Sequence, residues 1–164
     1  MLEQVKFSES EFQQLQFEIE SIVKKMSSEK FRAEFSKAPM RFLERNNFEA
    51  LHKTISNSRY AQRSLTYYIN TSFRRKQYFT KCDACKNSVY LLILAILGKA
   101  GAAVAGLSGF LRSILNYIKR MFGEGHDLVN LTEGKLRARV ESMSPMQLAR
   151  LVCSDIGYCD ANFR

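Results

Sequence analysis

Tryptophan is absent from this 164-residue chain, proline occurs twice and glycine eight times. So few chain-breaking residues suit helices better than a turn-rich all-β architecture. Histidine is nearly as scarce, with only His52 and His126, and neither stands beside a cysteine or in a His-x-x-x-His spacing. There is no phosphate-cradling glycine loop and no Gly-x-Ser-x-Gly elbow, so the sequence predicts no enzyme, no cofactor and no metal. Carboxylate pairs such as Glu9/Glu11 and Glu18/Glu20 carry no chemistry without a geometry to bring them together.

Acidic residues are the other shortage. Twenty-five Lys and Arg face sixteen Asp and Glu, a net charge of +9. Residues 1–81 hold fifteen of the cations against nine acids, and residues 82–164 ten against seven, so the N-terminal half is the more basic. Such a surface suits an anionic partner, whether lipid, acidic protein or nucleic acid. Nucleic acid is disfavoured because the charge is dispersed, with only Arg74-Arg75-Lys76-Gln77-Tyr78-Phe79 mixing cations and aromatics. Arg74-Arg75-Lys76 has two readings, a processing site between the halves or a solvated basic turn. The apolar content of 46% is ample for a core, which excludes a disordered chain.

Helix signals recur along the chain. Ser8 with Glu11 reads as a capping box and Phe7 with Phe12 as its staple, ahead of a stripe at Phe12, Leu15, Ile19, Ile22 and Met26. On that spacing Gln13, Gln14, Glu18 and Lys25 point away from the core. A second helix is expected after Ser27 or Ser28, ending near Pro39, with Phe42 and Leu43 in a short turn. Asn46 or Asn47 is the expected cap for a helix bearing Phe48, Leu51 and Ile55, and Asn57-Ser58 a break before Ala61, Leu65, Tyr68 and Ile69. Thr80 with Asp83 caps the next helix, which Gly98 is expected to end or bend. Gly123-Glu124-Gly125 reads as a turn, and Asp127 or Asn130 as a cap. Ser144, Pro145 and Gln147 open the last helix, and Gly157 suits its C-terminal cap.

Between Val89 and Leu111 the only charge is Lys99. That length would span a bilayer, and the small residues Gly98-Ala102-Gly106 and Gly101-Ala105-Gly109 would let helices approach in lipid. The competing reading is two packed helices whose apolar sides fill a core, with Leu107, Leu111, Ile114 and Ile118 forming a stripe.

All four cysteines fall in two clusters, Cys82-Asp83-Ala84-Cys85 and Cys153 to Cys159. Their spacing would let two helix ends cross-link twice, while free thiols and a zinc site remain open readings. The clusters, with Ser144-Pro145-Met146-Gln147-Leu148-Ala149-Arg150-Leu151-Val152-Cys153 between, resemble the saposin-like (saposin B-type) family over the C-terminal half. The family's middle cysteine pair is absent here.

The resemblance implies nested disulfides, Cys82 to Cys159 and Cys85 to Cys153, and a small all-α, lipid-binding domain. Residues 1–79 would be an N-terminal helical extension, a propeptide or masking unit, and residues 80–164 the saposin-like helical bundle. It further implies a membrane-interacting, possible membrane-permeabilising activity toward anionic lipid. Leu91, Leu94, Leu97, Leu107 and Phe110 would meet lipid, with Arg112, Lys119, Arg120, Lys135, Arg137 and Arg139 at the headgroups. The rival expectation is a cytosolic all-helical interaction module with reduced cysteines, docking a protein through its basic N-terminal half. Met1 to Phe7 lacks a secretory h-region, so the compartment is secreted or lysosome-like if the cysteines are disulfides and cytoplasmic otherwise. The sequons Asn70-Thr71-Ser72 and Asn130-Leu131-Thr132 agree with the former.

Overall fold

The computed structural model describes residues 5–76, 79–102, 106–122 and 133–160. Among them there are nine α-helices and no strand. The turn at Gly123-Glu124-Gly125, the caps at Asp127 and Asn130, the second sequon and His126 lie outside the described residues, as does the Lys135 side chain.

Helix α1 (Glu9–Lys25) starts at a reciprocal cap: the Glu11 backbone N–H donates to Ser8 Oγ and the Ser8 N–H to the Glu11 carboxylate, both at 3.1 Å. Its apolar stripe is buried as expected, but Glu18 is buried with it, at 1% exposure, rather than facing away. The reason lies in α4 (Glu49–Ser56), whose N-cap position is Phe48 and which has no side-chain cap of its own. Instead the backbone N–H groups of Ala50 and Leu51 donate to the Glu18 carboxylate at 3.0 and 2.9 Å, and Gln14 Nε2 donates to it at 2.8 Å. An anion from one helix thus satisfies the free N–H groups of another. Asn46 and Asn47 do not cap α4, and Asn47 instead takes the left-handed conformation, φ 63°.

Helix α2 (Glu29–Lys37) is capped by Ser28. Pro39 ends it and also opens α3 (Pro39–Arg45), so Phe42 and Leu43 are helical rather than in a turn. Proline at the first helical position has no N–H to leave unpaired, and extended Ala38 before it separates the helices. Phe31, Phe35 and Phe42 pack edge-on and stacked in this corner. Helix α5 (Arg59–Tyr68), capped by Ser58, runs into one π-helical turn at Ile69–Phe73.

The C-terminal half comprises α6 (Lys81–Ala100), a 3-10 turn (Leu107–Phe110), α7 (Leu111–Phe122), α8 (Glu133–Val140) and α9 (Pro145–Asp155). The Thr80/Asp83 and Ser144/Gln147 capping boxes are both present, and Gly157 is left-handed at φ 90°. Gly98 does not end α6, which runs on to Ala100 and stops at left-handed Gly101, φ 67°. A Cβ at Gly98 would lie 1.9 Å from the carbonyl oxygen of Thr54, so this glycine is where α4 backbone crosses α6 in contact.

Helix α6 is the axis of the molecule. Helices α1, α4, α5, α7 and α9 all pack on it, and fourteen of its twenty residues are buried. From Val89 to Leu97 no side chain exceeds 1% exposure, and each large one contributes roughly 1.5–3 kcal/mol of burial. The hydrophobic core runs without interruption from Val5 to Cys159. No helix among the described residues is long and apolar enough to cross a membrane. The N-terminal segment is also tied to α7 by backbone N–H groups: Val5 donates to Ser113 Oγ at 2.8 Å and Phe7 to Tyr117 Oη at 2.7 Å.

The close crossing gives a direct test. Gly98→Ala should destabilise the protein by about 1–3 kcal/mol or more, whereas Gly106→Ala, with nothing within 4 Å of the new Cβ, should be near neutral. Chemical denaturation of the two variants measures the difference, and equal midpoints would refute the packing argument.

Candidate functional site at the disulfide clasp

The first turn of α6 presents Cys82 and Cys85 to the end of α9. The structure links Cys82 to Cys159 and Cys85 to Cys153, with Cα separations of 4.7 and 6.0 Å, and no described cysteine is free. A bridge closing so long a loop contributes on the order of 4 kcal/mol in the chain-entropy picture, and the second adds less. Neither the thiol nor the zinc reading of these cysteines stands. Two disulfides point to an oxidising environment.

Beside the clasp is a cluster centred on Asp83, which is 3% exposed. Its carboxylate accepts from Lys76 Nζ at 2.7 Å, from Thr80 Oγ1 at 2.9 Å and from the Thr80 N–H at 3.0 Å, and Lys86 Nζ stands 3.3 Å away. Burial alone would raise this carboxyl, but hydrogen bonds from Lys76 and Thr80 outweigh it and bring the pKa down to about 2. Burial also lowers the Lys86 ammonium, against the attraction of Asp83. Arg32, buried behind the cluster, fixes the approach of the chain: its Nη2 donates to the Lys76 carbonyl at 2.8 Å and its Nη1 to that of Met26 at 2.7 Å.

The cluster forms the floor of an open groove of about 770 Å³ whose walls include Arg75, Lys81, Arg150, Tyr158 and Asp160. Arg150 also lines a second groove, about 330 Å³, with Ser64, Tyr67, Tyr68, Thr71, Ser72, Tyr90, Ser144, Met146 and Gln147. Two of its tyrosines are fixed, Tyr68 Oη donating to Asn87 Oδ1 at 2.7 Å and Tyr90 Oη sharing a 2.8 Å hydrogen bond with Ser64 Oγ. Burial pushes the Tyr68 phenol up to about 12 and raises that of Tyr90 further. Nothing in the linear sequence marks these grooves, because residues from 64–90 and 144–160 converge only in the fold.

The residues expected to meet lipid divide sharply. Leu91, Leu94, Leu97 and Leu107 are fully buried in the core and Phe110 is half-buried, so in this conformation none of the four leucines is available to a bilayer. The cations lie outside: Arg112, Lys119 and Arg120 share the exposed side of α7 with Asn116, and Arg137 and Arg139 are exposed on α8. Arg120 donates to the Glu9 carboxylate at 2.6 Å and Lys99 to that of Glu11 at 2.9 Å, joining α1 to α7 and α6. The Lys99 hydrogen bond is the main reason the Glu11 carboxyl falls to about 2. In the basic run, Arg74 and Arg75 are exposed while Lys76 is held by Asp83 and Arg32.

No family model, curated protein or solved structure matches this chain. The fold and site define it as a disulfide-clasped, all-α bundle with a cationic groove at the clasp.

The Asp83 cluster makes stability depend on acid. A carboxyl whose pKa is lower folded than unfolded stabilises the fold above its unfolded value, and that stabilisation is lost as pH falls through the folded one. Wild-type protein should therefore lose about 2 kcal/mol from this group between about pH 5 and pH 2. Denaturant titrations across that range, compared with Asp83→Asn, measure it. An identical pH slope in the two proteins would contradict the assignment.

Proposed function

We propose that this protein is saposin-like and binds anionic membrane surfaces in a secreted or lysosome-like compartment, with its apolar interior kept covered by the N-terminal helices. The observation that carries the reading is the outer side of α7. Arg112, Asn116, Lys119 and Arg120 recur along one face, and the helix has no acidic residue. Its opposite side buries Leu111, Ile114, Leu115 and Ile118. Exposed Arg137 and Arg139 on α8 extend the same chemistry. Each cation held near an anionic surface contributes about 1 kcal/mol, so a handful suffice for salt-sensitive association without any leucine leaving the core.

Permeabilisation is the second step of this proposal. It requires α1 and α4 to leave α6, breaking the Glu9–Arg120 and Glu11–Lys99 pairs and exposing the run from Val89 to Leu97. The nested disulfides hold α6 to α9, whereas the N-terminal helices are joined to α6 through the backbone alone, with no cross-link. The alternative, a protein-interaction module with the closed core as its permanent state, draws support from the complete burial of Leu91, Leu94 and Leu97.

Co-sedimentation with phosphatidylserine vesicles decides between them. Wild-type protein should bind, less so as salt rises, and Lys119→Glu combined with Arg139→Glu should weaken binding at least about tenfold with an unchanged circular dichroism spectrum. No binding at neutral or acidic pH would remove the membrane reading and leave the basic faces to an acidic protein.

A further inference from the structure

The two grooves at the clasp adjoin at Arg150, which lines both, and together they make a trough-like surface with two chemically different ends. At one end hydroxyl and amide groups from Ser64, Thr71, Ser72, Ser144 and Gln147 stand among Tyr67 and Met146. Tyr67 is 72% exposed, which leaves its ring available to a flat, partly apolar surface. At the other end five cations, Arg75, Lys76, Lys81, Lys86 and Arg150, outnumber the carboxylates Asp83 and Asp160. Asp83 engages Lys76 and Lys86, leaving the exposed Arg75, Lys81 and Arg150 as the outward cations of the rim.

We propose that this trough binds a phosphorylated polyol or sugar. The ring would lie on Tyr67 with its hydroxyls on the Ser/Thr/Gln wall, and its phosphates would be held by Arg150, Lys81 and Arg75. Several features select this ligand class. Charge is concentrated at one end, as in a polyol with clustered phosphates. The hydroxyl-bearing end offers both donors and acceptors to a polyol's hydroxyls, while Met146 and the tyrosine rings offer apolar surface to the carbon face of the ring. Arg150, at the junction, can grip a phosphate with paired N–H donors, a geometry an ammonium lacks. The trough is built from α5, α6, α9 and the segment before α6; the disulfides hold α9 to α6, the Asp83 cluster holds the segment before it, and the Tyr68–Asn87 and Ser64–Tyr90 hydrogen bonds hold α5, so the ligand does not have to organise it. This site is separate from the α7 and α8 cations of the membrane reading and stands or falls independently of it.

Isothermal titration calorimetry on the disulfide-intact protein tests the proposal with inositol trisphosphate, inorganic phosphate and unphosphorylated inositol. The trisphosphate should bind more tightly than inorganic phosphate, and inositol should give no measurable heat. Arg150→Gln should weaken trisphosphate binding about tenfold or more. Tyr67→Ala should weaken the trisphosphate while leaving inorganic phosphate unchanged, and Lys119→Glu on α7 should alter neither. All three side chains are exposed, and circular dichroism checks that each variant folds. Vesicles displaying the same headgroup assign the source: competition with the soluble compound identifies a lipid headgroup, and its absence a free phosphate ester. No heat with the trisphosphate overturns the proposal. So does equal weakening by Lys119→Glu and Arg150→Gln, which would reduce the effect to general attraction by a basic protein.

Discussion

A helix with no polar face must be covered on every side, and α6 imposes that requirement on the rest of the chain. Its segment from Val89 to Leu97 is buried all round, so neighbouring elements must each bring an apolar stripe to it. Helices from both halves do so, which is why the core is continuous from one end of the chain to the other. The same demand explains Gly98, since α4 can reach α6 closely only where a side chain is missing. The same crossing satisfies carbonyls at the C-terminal end of α6 and just beyond it: Asn57 Nδ2 donates to the Gly98 carbonyl at 3.1 Å and Ser58 Oγ to that of Ala102 at 2.5 Å.

The opposite end of α6 carries the chemistry. Its first turn supplies two cysteines to the clasp, Asp83 to the buried ion cluster and Lys81 to the groove. Concentrating the covalent and ionic constraints there fixes α9 and the segment before α6 against one another. The N-terminal helices, by contrast, are held to the C-terminal half by apolar contact, by hydrogen bonds such as Val5 to Ser113, Phe7 to Tyr117 and Asn57 to the Gly98 carbonyl, and by two surface ion pairs. Surface pairs of this kind contribute little individually, so the attachment depends mainly on the apolar interface with α6.

Local signals were legible in the sequence and long-range ones were not. Ser8 with Glu11, Thr80 with Asp83 and Ser144 with Gln147 lie within four residues of one another, and all three boxes form. Glu18 was misread because its partner, the start of α4, is more than thirty residues away. On helical periodicity alone a carboxylate beside a stripe belongs in solvent. Gly98 was misread as a break because a glycine reserved for close packing looks the same in sequence as one reserved for a turn. The apolar run from Val89 to Leu111 fitted both a membrane span and a core until the cover from α1, α4 and α5 was visible. The groove at the clasp, assembled from residues 75–86 and 150–160, had no linear signature at all.

Native-state hydrogen exchange across α6 tests the shared core most directly. If helices from both halves jointly bury this segment, the amides of residues 89–97 should exchange only through global unfolding, with a free energy equal to that from denaturant titration. The inward-facing amides of α1 and α4 should open in the same event. Contradiction would take the form of α1 and α4 exchanging in a separate, lower-energy opening while α6, α7 and α9 stay protected.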